Sequence, residues 1–151
     1  MIQEVRIIQM EILGTPVAQE RPKVSTVGGV RLYDPPKSAA FKQQVRKIAQ
    51  IEKKKREIDF LEGPLEAYIY CYFPIPKSKS KSFRQAAQSG TEVPQKKPDC
   101  DNLAKGVLDA CNGVLYQDDA QITRLYVEKL YGLEPKMVVT IAEQGTFRWE
   151  D

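Results

Sequence analysis

Apolar and polar positions alternate near the start of the chain. Across residues 3–13, Ile8, Met10 and Ile12 fall on one side with polar positions between them. Period-two spacing of this kind predicts a β-strand, ended by Gly14-Thr15-Pro16. A second alternation runs over residues 65–74. It places Leu65, Ala67, Ile69, Cys71 and Phe73 on one side and Tyr68, Tyr70 and Tyr72 on the other. This strand is expected to be buried on both faces, or partnered across its tyrosine face. Residues 122–131 and 136–144 read as a hairpin turned by Gly132-Leu133-Glu134-Pro135. The tail, 145–151, is expected to fray or to dock through Trp149.

Helical spacing appears twice. Over residues 37–57, Phe41, Val45, Ile48 and Ile51 recur on one face, and the rest is strongly basic. From residue 101 onward, Leu103, Ala104, Val107, Leu108, Ala110 and Cys111 share a face at 100° per residue. Asp101, Asn102, Lys105 and Asp109 share the opposite one. Asp101 or Asn102 is the expected N-cap, and Asn112-Gly113 the stop. Two long polar connections separate these elements. The first, residues 17–36, carries Arg21, Lys23 and Arg31, with Gly28-Gly29 as a turn. The second, residues 75–97, sets Lys77, Lys79, Lys81, Arg84, Lys96 and Lys97 against Glu92 alone. A mobile loop is expected there, with a short helix near 83–88. The order β, loop, α, β, loop, α, β, β predicts an α+β fold: a small mixed sheet of about four strands with two main helices packed against it. At 151 residues, one domain over 1–151 is expected.

Composition narrows the chemistry. There is no histidine, so triads, histidine–metal sites and histidine acid/base catalysis are all excluded. Three cysteines with no C-x-x-C are expected to be reduced thiols in a cytoplasmic chain. No apolar run approaches the 18 residues of a membrane span, and the charged N-terminal stretch is not expected to be a signal peptide. Net charge is only +3, so its distribution says more than its sum. Basic arms at 21–31 and 77–97 suit a polyanion, although lysine-rich loops also serve solubility alone.

Acids concentrate in residues 96–122, where Asp99, Asp101, Asp109, Asp118 and Asp119 surround Lys105. If Asp99–Asp101 is extended, both carboxylates point the same way. Asp101, Lys105 and Asp109 form one column at i, i+4, i+8. Gathered carboxylates need a neutralising partner, and hard oxygen donors suit Mg²⁺ or Mn²⁺. A lysine beside them can face the same phosphate. These are the parts of metal-assisted phosphodiester hydrolysis. The plainer reading is that the acids cap a helix, pair with Lys105 on the surface and make a turn at Asp118-Asp119.

The same stretch resembles the RusA family of Holliday-junction resolvases, in particular its phage and prophage members. The resemblance runs through Lys97-Pro98-Asp99-Cys100-Asp101-Asn102-Leu103, Lys105, Val107-Leu108-Asp109-Ala110, Asn112-Gly113-Val114-Leu115 and Asp118-Asp119-Ala120-Gln121-Ile122. Weaker likeness lies in Gly14-Thr15-Pro16, Arg21-Pro22-Lys23 and Tyr33-Asp34-Pro35, and the whole covers roughly residues 10–143. Cys100 stands where an apolar residue is usual in the family. The resemblance implies Asp99, Asp101 and Asp119 as catalytic metal ligands, with Asp118 the lesser candidate, and Lys105 as a catalytic cation. It also implies a homodimer acting on four-way DNA in recombination and repair. Lys77, Lys79, Lys81, Arg84, Lys96, Lys97, Arg21 and Lys23 are the expected DNA contacts. Two alternatives stay open: a non-catalytic module for branched or single-stranded DNA, and a broader flap or fork nuclease.

Overall fold

The computed structural model describes residues 5–145. The expected tail contact through Trp149 lies outside them, as do residues 3 and 4 of the first expected strand. A four-stranded mixed sheet forms from β1 (Ile7–Leu13), β4 (Leu65–Pro74), β5 (Ile122–Gly132) and β6 (Lys136–Glu143). Their order is β1-β6-β4-β5. β6 is antiparallel to β1 and β4, whereas β4 and β5 run parallel. Helices α1 (Pro36–Lys55) and α3 (Cys100–Cys111) pack together and against the sheet. A separate hairpin joins β2 (Lys23–Ser25) to β3 (Arg31–Tyr33), and α2 (Lys81–Ser89) precedes α3. The fold is α+β, as the patterning predicts.

Period-two spacing in β1 and β4 does what it should. Ile8, Met10, Ile12, Leu65, Ala67, Ile69 and Cys71 are all buried, and they meet Leu103, Val107 and Cys111 of α3 in one core. The tyrosines of β4 lie on the other face, where Tyr68 and Tyr70 pack on Tyr126 of β5 at 6.3 and 5.7 Å between ring centres.

Four expectations change. β5 and β6 are not a hairpin, because β4 lies between them. Strands flanking a third are about 9.6 Å apart, and residues 133–135 can span about 10 Å. Alternation and turn residues locate strands but do not choose their partners. Second, the first long connection is not all loop, since it contains β2 and β3 around the expected turn. Gly28 and Gly29 take φ values of 74° and 116° there, which side chains rarely adopt. Third, the short helix expected near 83–88 is present but longer: α2 runs from Lys81 to Ser89, capped by the Ser80 hydroxyl, which accepts the Phe83 N–H. Phe83 meets Tyr131 edge-on at 5.8 Å, which anchors this helix to β5. Fourth, α1 buries Ser38, Phe41, Val45 and Ala49, while Ile51 is 55% exposed. At 100° per residue Ile51 lies roughly 120–160° around the helix from Val45 and Ala49.

Glu143, the last residue of β6, ties the end of this inner strand to neighbouring chain. It accepts hydrogen bonds from Arg6 Nε (3.0 Å), an Arg6 guanidinium NH₂ (2.7 Å) and the backbone N–H groups of Arg6 (3.2 Å) and Glu62 (2.8 Å). Desolvation pushes its carboxyl upward, but these donors outweigh it, and the native pKa is lowered. A lowered native pKa contributes stability above the ordinary value, about 4.3, and loses it as pH falls through the native one. Glu143→Gln is therefore expected to lower Tm at pH 7 and to flatten its fall below about pH 4.3. Matching acid limbs in wild type and variant would show that Glu143 carries none of this dependence.

Candidate active site

Helix α3 organises the acidic cleft. Its N-cap is Asp99, with backbone φ −77° and ψ 152°, and the helix begins at Cys100. That is earlier than the Asp101 or Asn102 cap expected from sequence. Asp99 to Asp101 is therefore not an extended run: one acid sits at the cap and the other within the first turn. The entry is held from outside the helix, because Lys129 of β5 donates to the carbonyls of Lys96 (2.7 Å) and Pro98 (3.0 Å). No local pattern reveals that clamp. The Asp99 carboxylate makes no capping hydrogen bond, so it remains available.

Asp99, Asp101, Asn102, Lys105 and Asp109 line one cleft of about 840 Å³. The opposite walls come from Gln19, Glu20, Arg21 and Pro22, from Leu32, Tyr33 and Asp34, and from Lys42 of α1. Gln19 N–H donates to Asn102 O at 2.9 Å, and its side-chain amide donates to Asp34 Oδ1 at 2.8 Å. A Cβ on Gly106 would stand 3.3 Å from Gln19 N, so the glycine lets this segment lie against α3. The buried Ser38 hydroxyl accepts Glu20 N–H at 3.1 Å and holds the wall from the α1 side.

The surface pairs expected of a plain capped helix are absent among the described residues. Neither Asp101 nor Asp109 pairs with Lys105. Lys42 instead meets Asp34 at 2.9 Å and Asp109 at 4.0 Å. The hydrogen bond from Lys42 lowers the Asp34 carboxyl pKa, with the Gln19 amide adding to it against desolvation. Asp34, Lys42 and Gln19 were not among the candidates from sequence. Asp34 carries a signal in the Tyr33-Asp34-Pro35 motif. Lys42 is one of many cations on α1, and only the helix packing singles it out.

The return loop stops short of the cleft. Helix α3 ends at Cys111, and Asn112 Oδ1 accepts Asp119 N–H at 2.8 Å. Asp118 caps a short 3-10 turn, Asp119–Gln121, and accepts Ala120 N–H at 3.0 Å, so its carboxylate is occupied. Asp119 does not line the cleft. Burial raises its pKa first, then a hydrogen bond with Asp118, then the charges of Asp109 and Asp118. Asp109 thus lines the cleft and also acts on Asp119 through its charge. No group of three or more His, Cys, Asp or Glu stands at metal-holding distance among the described residues.

Of the basic candidates, Arg21 lines the cleft. Lys23 lies on β2, Lys77 and Lys79 precede α2, and Lys81 and Arg84 lie on it. Lys96 and Lys97 lead into Asp99. All are exposed and none but Arg21 touches the cleft. Cys71, Cys100 and Cys111 are free thiols, and burial pushes Cys71 and Cys111 up to about 12, which removes thiolate chemistry at those two. No helix among the described residues is long and apolar enough to cross a membrane.

Comparison with known proteins adds the family. The uncharacterized protein YqaN of Bacillus subtilis (strain 168) is 41% identical over 139 residues, covering 90% of this chain and 96% of the relative. The family model described as Endodeoxyribonuclease RusA matches residues 14–142, spanning β2 to β5 and most of β6, with every wall of the acidic cleft. This chain belongs to the RusA endodeoxyribonuclease family.

Proposed function

We propose that this chain is a Mg²⁺-dependent endonuclease that resolves four-way DNA junctions by paired, symmetric hydrolysis. The observation that carries the reading is one cleft in which Asp99, Asp101 and Lys105 face a common space without pairing to one another. The donor set fits a hard cation, because every candidate ligand is a carboxylate oxygen. Mg²⁺ commonly takes only one or two carboxylates and completes its shell with water and phosphate. Asp99 and Asp101 would hold it, with Asp119 as the third candidate and Mn²⁺ as a substitute. When bound, the cation supplies Lewis-acid polarisation and charge neutralisation at the scissile phosphate.

The chain's own groups do the rest. Lys105 stabilises negative charge developing on the phosphate oxygens. Arg21 binds the neighbouring backbone from the facing wall, and Lys77 to Lys97 supply cations along its approach. Lys42 offsets the charge of Asp34 and Asp109, so the cleft is less repulsive to a polyanion. A four-way junction has near two-fold symmetry, and a homodimer with two sites meets its need for two opposed cuts.

The deciding experiment compares a synthetic four-way junction with a linear duplex of the same sequence, in Mg²⁺ and in EDTA. Paired symmetric nicks on the junction are expected, none on the duplex, and none in EDTA. Equal cutting of forks or flaps would replace the reading with a broader nuclease. Binding without cleavage under every condition would leave a DNA-binding module.

A further inference from the structure

The hairpin beside the cleft has a composition that catalysis does not explain. β2 and β3 pair Lys23 with Tyr33, Val24 with Leu32 and Ser25 with Arg31. Alternation along such short strands puts Val24 and Leu32 on one face, and Lys23, Arg31 and Tyr33 on the other. Val24 is 57% exposed, Leu32 70%, and Val27 and Val30 of the connecting turn 82% each. Four exposed aliphatic side chains on one small ribbon form an unfavourable surface unless something covers it. Nothing does so among the described residues.

Charge selects the occupant. Residues 21–33 hold Arg21, Lys23 and Arg31 and no acid. The base of the ribbon belongs to the acidic cleft, which Arg21, Leu32 and Tyr33 line. A nucleic acid following those cations into the cleft must therefore pass the ribbon. An intact duplex offers phosphates and polar groove edges, while its apolar base faces are stacked out of reach. Base faces become available where stacking is interrupted, as at the meeting point of DNA arms. Aliphatic wedges favour that kind of step, and basic side chains beside them hold the flanking phosphates.

We propose that this hairpin recognises the branch point: Val27 and Val30 pack against unstacked bases while Lys23 and Arg31 hold the adjoining phosphates. It rests on the proposed function only for its ligand, branched DNA, and not for the cut, and it assigns junction selectivity to the ribbon rather than to the acids.

The test uses the full chain carrying Asp101→Asn, which keeps DNA intact, and a four-way junction with 2-aminopurine beside the branch point. Binding is expected to raise the fluorescence. Adding Val27→Ser and Val30→Ser is expected to abolish the rise and to weaken junction affinity about tenfold. Duplex affinity and Tm should be unchanged, because both side chains are already exposed. Val27→Leu with Val30→Leu should keep the rise. The same fluorescence rise and junction affinity in the serine variant would overturn the proposal. So would a change in oligomeric mass with the DNA readouts unmoved, which would make the ribbon a protein contact. The chain with Asp101 intact separates the two readings. If it cuts junctions and the valines have no effect, this inference alone falls. If it never cuts but the valine-dependent rise persists, the inference stands and the catalytic reading falls.

Discussion

Asp101→Asn is expected to slow junction cleavage about a thousandfold without weakening junction binding. Charge stabilisation by a bound cation is worth several kcal/mol at the transition state, and each 1.36 kcal/mol is about tenfold in rate. The replacement is nearly isosteric at an exposed position, and Asp101 takes part in no ion pair among the described residues. The lost favourable contact with the helix dipole is worth only about 0.3–1 kcal/mol. Removing a negative charge from a cleft that admits a polyanion should leave affinity equal or higher. Single-turnover cleavage, gel-shift affinity and Tm separate these effects. A cleavage rate within about tenfold of wild type, at unchanged Tm, would remove Asp101 from the catalytic set. Asp118→Ala serves as the comparison. Its carboxylate caps the 3-10 turn, so it should cost about 1 kcal/mol of stability and little chemistry.

Tyr116→Ala is expected to lower stability by about 3–5 kcal/mol, as large aromatic-to-alanine changes in a core do. Tyr116 is 0% exposed, and its hydroxyl donates to Leu108 O at 2.7 Å. Burial raises its pKa, so it stays a neutral donor. Its carbonyl accepts Gly113 N–H at 2.8 Å, so the same residue closes the turn between α3 and Asp118-Asp119. Against a typical total of about 5–15 kcal/mol, such a loss is large. It corresponds to roughly 6–20 °C in Tm for a chain of this size. Tyr116→Phe isolates the hydroxyl and should remove about 1 kcal/mol. Denaturant midpoints decide the matter. Equal losses in the two variants would assign the whole effect to the hydrogen bond and none to the packed ring.

The element inventory was largely legible in the chain, because burial imposes a period on it. Ile8, Met10 and Ile12 repeat every two residues. Leu103, Ala104, Val107, Leu108, Ala110 and Cys111 repeat on one helical face, and all are buried. Asn112-Gly113 ends α3 as expected, with Gly113 at φ 72°. The motif also marked Asp99, Asp101 and Lys105, which share a cleft. Short-range signals misled where a distant partner decided the outcome. The α3 cap moved to Asp99, with the entry gripped by Lys129 from another strand.

What sequence by itself determined is the set of elements and the acidic motif, since both depend on spacing within a few residues. Tertiary structure alone decided three things. β5 pairs in parallel with β4 instead of folding back on β6, because the pleat alternates identically whichever strand lies beside it. Asp34 and Lys42 join the cleft because α1 packs on α3, bringing Lys42 within 4.0 Å of Asp109, 67 residues away in sequence (109 − 42). Asp118 and Asp119, alike as neighbours in sequence, are separated by their surroundings. One carboxylate is occupied in a cap, while the other is desolvated beside Asp109. Charge pairing and desolvation depend on distances through space, and spacing along the chain does not encode them.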